Sequence, residues 1–345
     1  MKIVQLTGIR QFAIAEEPEP TLQEPDQVLL KILRVGICGS DIHYYLEGAI
    51  GEQIIDFPFT IGHEFSGVVA GMGEGVTNVE EGDLVAAEPA VSCMQCDQCL
   101  AGRPHTCREL QFIGAPGQLD GAMKEYISLP ARNCYPVPGD MSPEDACLVE
   151  PLSIGCYAVQ LAGDIGEKSV GILGVGPIGL GVLAAARNKQ CGATWITDKL
   201  DYRCELAEQL GADWTGNPET DAVVEVIREN DPLGLDYVFE CCGDQEALDQ
   251  AIEILKPGGE LLIIGIPRDD RISFDISRIR RKEITIKNVR RQNHCIEPAI
   301  DLLQRTPHLG ELLWSHGFSA DATGEAFETV SHYRDNVVKA MIHLG

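Results

Sequence analysis

The first half of the chain is a series of short apolar runs separated by glycine, aspartate and proline. Three of these runs, Val28–Val35, Ser66–Ala70 and Asp83–Ala87, have the length and the boundaries of β-strands. The pattern therefore predicts an irregular, β-rich region.

A second pattern begins near residue 153, where a helix-like segment leads into apolar runs that alternate with longer helix-like segments. Such alternation is typical of βαβ units, in which helices cover both faces of a parallel sheet. The alternation ends after Ile284–Val289. The predicted strands of this region are 168–173, 193–197, 235–239, 259–264 and 284–289, and its predicted helices are 177–187, 203–210 and 244–255.

The change of pattern predicts the domain organisation. We expect a β-rich domain over residues 1–152 and a doubly wound α/β domain inserted over residues 153–290. Residues 291–345 are expected to return to the first domain. A chain of 345 residues has room for two domains of ordinary size.

Charge and cysteine content exclude several classes of protein. The 27 basic and 53 acidic residues give a net charge of −26, which argues against nucleic acids and anionic membranes as partners. The chain has no run of about twenty apolar residues that would span a bilayer. Thirteen cysteines, an odd number, without a signal peptide do not suggest a secreted disulfide framework. We therefore expect a cytoplasmic protein whose cysteines are thiols or metal ligands.

Four cysteines lie close together at Cys93, Cys96, Cys99 and Cys107. Soft sulfur ligands at this density suit a closed, tetrahedral Zn²⁺ site that stabilises a lobe and leaves no position for substrate. The first three cysteines also have the spacing of a ferredoxin-type iron–sulfur site, although no proline follows Cys107. An iron–sulfur cluster and free thiols are therefore the alternatives to structural zinc.

A second candidate metal site combines Cys38, His63 and a carboxylate, for which Glu150 is a candidate. One Cys, one His and one carboxylate leave a position open on Zn²⁺, which is the arrangement of catalytic sites. Each of the three could instead be a packed core residue. Ser40 and His43 follow Cys38 closely, and they are either turn residues or groups that pass a proton outward.

The segment Gly174–Gly179 reads Gly-Val-Gly-Pro-Ile-Gly and lies between a predicted strand and a predicted helix. In this context Gly174 makes the turn, Gly176 lets the backbone approach a pyrophosphate, and Gly179 allows the helix and sheet to pack closely. The phosphates would lie at the helix N-terminus. The alternative is a glycine-rich turn that binds no ligand.

Asp198 ends the next predicted strand, about twenty residues after the glycine loop. A carboxylate there accepts hydrogen bonds from the adenosine ribose and repels a 2′-phosphate, so NAD is favoured over NADP. Lys199 and Arg203 add positive charge nearby and moderate this preference.

Taken together, these motifs resemble the zinc-containing medium-chain dehydrogenases, and the resemblance spans nearly the whole chain. Glu150–Ser153 and the choice of Ser40, His43 and Tyr44 are most similar to the sorbitol (polyol) dehydrogenase branch. The fold that this implies is a Rossmann domain inserted after a GroES-like catalytic domain. The segments that carry the resemblance, in the family's order, are Gly36–Tyr44, Gly62–Glu64, Cys93–Cys107, Glu150–Ser153 and Gly174–Gly179.

The resemblance implies Cys38, His63 and a glutamate as ligands of a catalytic zinc, with Glu64 and Glu150 as rivals for the third position. It also implies Tyr44, Glu150, Arg291 and Gln292 as residues near the substrate. Gln292 stands where the polyol branch usually has a tyrosine, and the segment Glu47–Phe59 also departs from that branch, so sorbitol itself does not follow. The implied cofactor contacts are Gly174, Gly176, Pro177, Ile178, Gly179, Asp198, Lys199, Arg203, Ile264, Gly265, Ile266, Arg290 and Arg291.

The expected activity is zinc-dependent hydride transfer between a secondary alcohol and NAD, which interconverts a small alcohol and its ketone. Threonine, an aminocyclitol or a sugar phosphate are alternative substrates, and a non-catalytic NAD-binding or thiol-sensing protein is a further alternative. The family resemblance implies one catalytic and one structural zinc per chain and a homodimer or homotetramer.

Overall fold

The computed structural model describes residues 1–267 and 271–344. The chain forms two compact units. One comprises residues 1–150, 299–303 and 310 onward, and the other comprises residues 151–298 and 304–309. The predicted boundaries at 152/153 and 290/291 differ from these mainly at the second crossing, because residues 291–298 stay with the second unit. Within the described residues, no helix is long and apolar enough to cross a membrane.

The first unit is built around a seven-stranded sheet. Its elements up to residue 150 are β1 (Lys2–Gly8), β2 (Gln11–Glu16), β3 (Gln27–Gly36), α1 (Gly39–Glu47), β4 (Ala49–Ile50), β5 (Gln53–Ile54), β6 (Glu64–Met72), β7 (Leu84–Ala87), β8 (Ala90–Val91), α2 (Asp97–Leu100), β9 (Gln111–Phe112), β10 (Tyr126–Pro130), β11 (Cys134–Pro136) and the first half of α3 (Pro143–Ala162). Two further strands, β18 (Trp314–Ser319) and β19 (Lys339–His343), come from the C-terminal region. The strand order of the sheet is β11-β7-β6-β3-β19-β18, with β10 also paired to β3.

Strand β3 is the centre of this sheet. Its alternate residues Val28, Leu30 and Ile32 are fully buried, because the period of a strand directs every second side chain to the same face. Strand β6 pairs antiparallel along one edge of β3, whereas β10 occupies the first half of the other edge. The second half of that edge is occupied by a strand from the C-terminal region of the chain.

The second unit contains six parallel strands in the order β14-β13-β12-β15-β16-β17. This is the doubly wound Rossmann order, in which the strand sequence reverses beside the first strand. All four residues of β12 and of β13 are buried, as expected when helices cover both faces. Its elements are the second half of α3, β12 (Val170–Leu173), α4 (Pro177–Asn188), β13 (Thr194–Thr197), α5 (Asp201–Gln209), β14 (Trp214–Gly216), α6 (Val223–Asn230), β15 (Leu235–Glu240), α7 (Gln245–Ile254), β16 (Leu255–Ile263), α8 (Ile276–Lys282) and β17 (Thr285–Asn288). Helix α9 (Ile296–Arg305) is divided, because residues 299–303 belong to the first unit.

The C-terminal region completes the first unit. Strand β19 pairs antiparallel with the end of β3, and β18 pairs parallel with β19 at the edge of the sheet. The predicted fold class, a Rossmann domain inserted after a β-rich domain, is therefore confirmed. The elements of this region are α10 (Leu309–Leu313), β18 (Trp314–Ser319), α11 (Thr323–Ser331) and β19 (Lys339–His343).

Candidate metal and nucleotide sites

Cys38, His63 and Glu64 come together in the first unit. Their candidate ligand atoms, one sulfur, one ring nitrogen and one carboxylate oxygen, all lie within 4.8 Å of one another. Cys38 immediately precedes α1, and His63 and Glu64 lie at the start of β6, whose first residue pairs with the last residue of β3. Two strand ends and a helix start therefore converge here. Burial, followed by the charge of Glu64, raises the pKa of the Cys38 thiol, so a bound cation is needed to hold it as thiolate.

Asp41 contacts both Cys38 and His63. It is fully buried, and its Oδ2 accepts a hydrogen bond of 3.0 Å from the Cys38 backbone N–H. Its Oδ1 accepts no hydrogen bond within the described residues and lies 3.6 Å from Nδ1 of His63. A carboxylate behind the second ring nitrogen fixes the orientation of a metal-binding histidine. Burial raises the pKa of Asp41, and the His63 charge opposes that rise.

Lys339 on β19 holds the carboxylate of Glu64. Its Nζ donates hydrogen bonds of 2.8 Å and 2.6 Å to the two carboxylate oxygens and one of 3.0 Å to the Ile37 carbonyl. Burial opposes the charged ammonium, but the Glu64 carboxylate outweighs it, so the pKa of Lys339 is raised. The pair fixes the position of Glu64 beside Cys38 and His63.

Glu150, the other carboxylate candidate, lies on α3 and is 7% exposed. Its oxygens are not within the 4.8 Å cluster of Cys38, His63 and Glu64. Burial raises its pKa to about 8; the charge of His63 lowers it, and that of Glu64 raises it further. Glu150 is thus a neighbour of the cluster, whereas Glu64 belongs to it.

The remaining candidates of this region lie on α1. Ser40 donates its hydroxyl toward the Cys38 sulfur, where this hydrogen bond favours the thiolate, and His43 is partly exposed one turn further on. Tyr44 is 4% exposed, and its hydroxyl donates to Oε1 of Gln53 at 3.2 Å. The helix therefore extends from the cluster to the partly exposed surface.

The four cysteines at 93, 96, 99 and 107 form the second cluster. The Cys96 sulfur lies 3.6 Å from that of Cys99 and 3.8 Å from that of Cys107. Four sulfurs at about 2.3 Å from one Zn²⁺ would be about 3.8 Å apart, so the spacing fits a single tetrahedral zinc. Hydrogen bonding from the backbone of Arg108 lowers the pKa of Cys96 to about 6. The donor set and its geometry therefore fit a closed structural zinc site.

The glycine loop lies at the carboxyl end of β12, with Pro177 in the first turn of α4. Gly174 has a φ of +91°, and a Cβ at Gly179 would lie 2.1 Å from the Gly174 carbonyl oxygen, so these two glycines are required by the fold itself. A Cβ on Gly176 would meet no atom closer than the Arg203 guanidinium, at 3.5 Å. The protein's own packing therefore does not require a glycine at position 176, and the missing side chain leaves space beside the loop for a ligand.

Asp198 follows β13 and is 9% exposed. Its two oxygens accept hydrogen bonds from the backbone N–H groups of Val175, at 2.7 Å, and Leu200, at 3.0 Å, and Arg203 Nη1 lies 3.7 Å away. The carboxylate and the glycine loop are therefore joined directly. Lys199 instead pairs with Asp244 at 3.2 Å.

The other cofactor candidates follow neighbouring strands of the same sheet. Ile264–Ile266 come after β16, and Arg290 and Arg291 come after β17. Because the carboxyl ends of parallel strands share one edge of a sheet, these segments lie on the same edge as Gly174–Gly179. Burial lowers the pKa of Arg290. Gln292 is 8% exposed, and its Oε1 accepts from the Cys295 backbone N–H beside the start of α9.

Sequence reasoning missed two residues that contact the first cluster, Asp41 and Lys339. Asp41 is part of the quoted Gly36–Tyr44 segment, and its position three residues after Cys38 is a signal for a helix start. Lys339 carries no such signal, because it lies in an ordinary apolar strand 275 residues after Glu64.

The chain is similar in sequence and in structure to known dehydrogenases. The family model described as the alcohol dehydrogenase GroES-like domain matches residues 24–139, and the one described as zinc-binding dehydrogenase matches residues 177–305. The sorbitol dehydrogenase of Bacillus subtilis is 33% identical over 99% of this chain and 97% of its own length. A probable D-xylulose reductase A of Aspergillus clavatus is 35% identical over 82% of this chain and 80% of its own. The crystal structure of galactitol-1-phosphate dehydrogenase from Escherichia coli aligns with a TM-score of 0.90 and 28% identity, and it covers 99% of this chain and 100% of its own.

Proposed function

Since the chain belongs to the polyol dehydrogenase branch of the zinc-containing medium-chain dehydrogenases, we propose that it oxidises a secondary hydroxyl of a polyol to a ketone with NAD⁺. The observation that carries this proposal is the convergence of Cys38, His63 and Glu64, with ligand atoms within 4.8 Å of one another. A three-ligand site leaves a coordination position for the hydroxyl oxygen.

The residues of the first cluster and their neighbours have distinct roles in the reaction. Cys38, His63 and Glu64 would hold the catalytic zinc, and Lys339 fixes Glu64 in place. When bound, the zinc supplies Lewis-acid stabilisation of negative charge on the substrate oxygen, and NAD⁺ accepts the hydride. Glu150 lies beside this set and is positioned to contact the substrate or a water molecule.

The hydroxyl proton must leave before or during hydride transfer. Ser40 lies beside the Cys38 sulfur, and His43 is on the same helix and partly exposed. We assign Ser40 the first acceptor position and His43 the exit to solvent, because His43 lies on the same helix and is partly exposed.

The cofactor is held by the second unit. Backbone N–H groups at the start of α4 face the pyrophosphate, and Asp198 accepts from the ribose hydroxyls. Asp198 disfavours a 2′-phosphate, although Arg203 beside it reduces the electrostatic cost. Tyr44, Arg291 and Gln292 are assigned to the substrate side of the site.

The assignment is tested by NADH formation on a panel of neutral polyols, amino alcohols, threonine and sugar phosphates, repeated with NADP⁺. We expect turnover of neutral polyols, about two zinc ions per chain, and loss of activity on chelation that added Zn²⁺ restores. A protein that contains both zincs and binds NAD⁺ but turns over no substrate in the panel would contradict the proposal.

We further propose that the protein acts in the cytoplasm as a homodimer or homotetramer, as its family membership implies. The acidic composition, with a net charge of −26, favours a small-molecule substrate over nucleic acid or an anionic membrane as partner. Light scattering on purified, zinc-loaded protein measures the assembly state, and fractionation of cells measures its location.

A further inference from the structure

A groove of about 530 Å³ lies in the first unit, beside the segment in which this chain departs from the polyol branch. Residues 52–54, 56, 59 and 116–118 line it. Its volume lies in the range typical of small-molecule sites. None of its lining residues is assigned to the metal, the cofactor or the reaction above.

Both walls of the groove are connected to the zinc cluster. On one side, Tyr44 on the helix that follows Cys38 donates its hydroxyl to Oε1 of Gln53 at 3.2 Å. On the other, the ring of Phe112 packs against the ring of His63, with centroids 5.3 Å apart, and the Phe112 backbone N–H donates to Oε1 of Gln118 at 2.8 Å.

One residue that lines the groove, Phe59, is also close to His63 in sequence. Phe59 lines the groove and precedes His63 by four residues, so their Cα atoms are at most about 14 Å apart. The groove therefore begins within this distance of the cluster.

Two glutamines provide matching hydrogen-bond donors. Gln53 and Gln118 each use the side-chain oxygen to accept from the scaffold, which fixes the orientation of the amide. Within the described residues, neither amide nitrogen donates a hydrogen bond in return. Each therefore presents an NH₂ group where a ligand oxygen can accept.

The rim of the groove is acidic. Glu52 and Asp56 are both exposed, and none of the eight described lining residues is a lysine, an arginine or a histidine. Carboxylates accept hydrogen bonds from hydroxyl or ammonium groups and repel anions. Amide donors beside carboxylate acceptors suit a chain of hydroxyl groups, each of which donates and accepts.

We propose that this groove binds the non-reacting end of the substrate and selects a hydroxyl- or ammonium-bearing end over a phosphate or a carboxylate. Gln53 and Gln118 are then specificity-determining residues, because they provide the donors, and Glu52 and Asp56 exclude anions. This inference rests on the proposed polyol dehydrogenase function and narrows its substrate class. It sets the chain apart from the galactitol-1-phosphate dehydrogenase whose structure it resembles.

The test compares a neutral polyol with its terminal phosphate, using kcat/KM of the zinc-loaded protein. We expect the wild type to favour the neutral polyol, and Glu52→Gln combined with Asp56→Asn to reduce that preference about tenfold at low salt, mainly through KM for the phosphate. Raising the ionic strength should reduce the wild-type preference in the same direction. The matched control is Glu74→Gln combined with Glu81→Gln, which removes two exposed carboxylates that do not line the groove and should leave the preference unchanged.

The donors are tested by Gln53→Met and Gln118→Met, which remove the NH₂ group without adding a charge; each also removes the oxygen that accepts from Tyr44 or from the Phe112 backbone, so the melting temperature is measured beside KM. Each should raise KM for the neutral polyol several-fold with little change in kcat. An unchanged preference in the double carboxylate variant, with wild-type turnover intact, would overturn the groove proposal and leave the proposed function standing.

Absence of wild-type turnover on every substrate would instead overturn the proposed function. In that case, calorimetry with the neutral polyol and its phosphate on the same variants still decides the groove. Equal affinity of the wild type for both ligands would refute it.

Discussion

Lys339 Nζ lies 2.6 Å from Oε2 of Glu64, and the two side chains are 4% and 2% exposed. An ion pair this deeply buried is costly to break from one side, because the remaining charge has no water to solvate it. The pair also holds one of the carboxylates beside Cys38 and His63, so it links the stability of the first unit to the geometry of its metal cluster.

Replacing Lys339 with Met should leave the Glu64 carboxylate of the zinc-free protein buried without its counter-charge and lower the free energy of unfolding by about 3–5 kcal/mol. Chemical denaturation of the zinc-free protein measures the loss, because a zinc ion bound by Glu64 would itself supply positive charge. Lys31→Met, at an exposed lysine of strand β3, is the matched control and should change the free energy by less than about 0.5 kcal/mol. Equal stability of the two variants would show that the buried pair contributes nothing.

Replacing Cys38 with Ser should abolish turnover, leave NAD⁺ binding close to that of the wild type, and reduce the zinc content from about two to about one per chain. The reason is that Cys38 belongs to the three-residue cluster, whereas the cofactor residues lie in the other unit. Metal analysis and NAD⁺ titration measure both effects. Cys242→Ser, at an exposed thiol outside both clusters, should keep two zincs. Full activity of the Cys38 variant would refute its role as a ligand.

Replacing Cys99 with Ser should lower stability first, whereas replacing Cys38 should abolish turnover directly. The closed cluster holds a lobe together, so this variant should lose one zinc and melt at least about 5 °C lower, with activity falling as a consequence. Calorimetry measures the melting temperature and metal analysis the zinc content. Comparing the Cys99 variant with the Cys38 variant distinguishes the roles of the two clusters. An unaltered melting temperature and metal count would contradict the structural assignment.

Replacing Asp198 with Asn should lower the preference for NAD⁺ over NADP⁺ at least tenfold, because it removes the charge that repels a 2′-phosphate and leaves Arg203 beside the site. Asparagine keeps one oxygen to accept from the backbone, so the glycine loop should stay in place. Asp201→Asn, at an exposed position three residues on, is the control for net charge. The ratio of kcat/KM for the two cofactors is the measurement, and no change in that ratio would remove Asp198 from the cofactor site.

The pair between Arg34 and Glu144 predicts a pH dependence of stability. The two side chains are 17% and 14% exposed, with Arg34 Nε 2.7 Å from Glu144 Oε1. Burial opposes ionisation of Glu144, but the Arg34 hydrogen bond and charge outweigh it, so its pKa is lowered. A lowered folded-state pKa contributes stability that is fully present above the ordinary value of about 4.3 and is lost as the pH falls through the folded value.

The free energy of unfolding of Glu144→Gln should therefore lie about 1 kcal/mol below that of the wild type at pH 7, and the two curves should converge as the pH falls through the folded pKa of Glu144. Urea denaturation from pH 7 into the acid range measures the difference. Glu325→Gln, at an exposed glutamate, should follow the wild-type curve throughout. A difference that persists unchanged at low pH would exclude a charge effect.

Local sequence pattern predicted five of the six strands of the parallel sheet. It missed β14, because Trp214–Gly216 is only three residues long and contains a threonine and a glycine. The predicted strand 235–239 is observed at Leu235–Glu240, and the predicted helix 177–187 at Pro177–Asn188. Helix α3 was placed too late: it begins at Pro143 rather than after Ser153, because Pro151 in its middle reads as a boundary.

Pairings between distant segments could not be predicted in the same way. Nothing in the local sequence of β19 distinguishes Lys339 from a surface lysine, and only the register that places Met341 opposite Gly36 brings it to the cluster. The groove was equally hidden, because Gln53 and Gln118 become neighbours of one cavity only through folding.

Strand β19 has a consequence for how the protein matures in the cell. Glu64 and Lys339 are separated by 275 residues, so at about 5–20 residues per second the ribosome needs roughly 15–55 s to deliver the lysine after the glutamate has emerged. Throughout that interval the nascent first unit lacks the strand that completes the long edge of β3 and the cation that neutralises its buried carboxylate. The Cys38, His63 and Glu64 cluster therefore reaches its final arrangement only after Lys339 is delivered, whereas the four-cysteine cluster, complete within residues 93–107, does not wait for that strand.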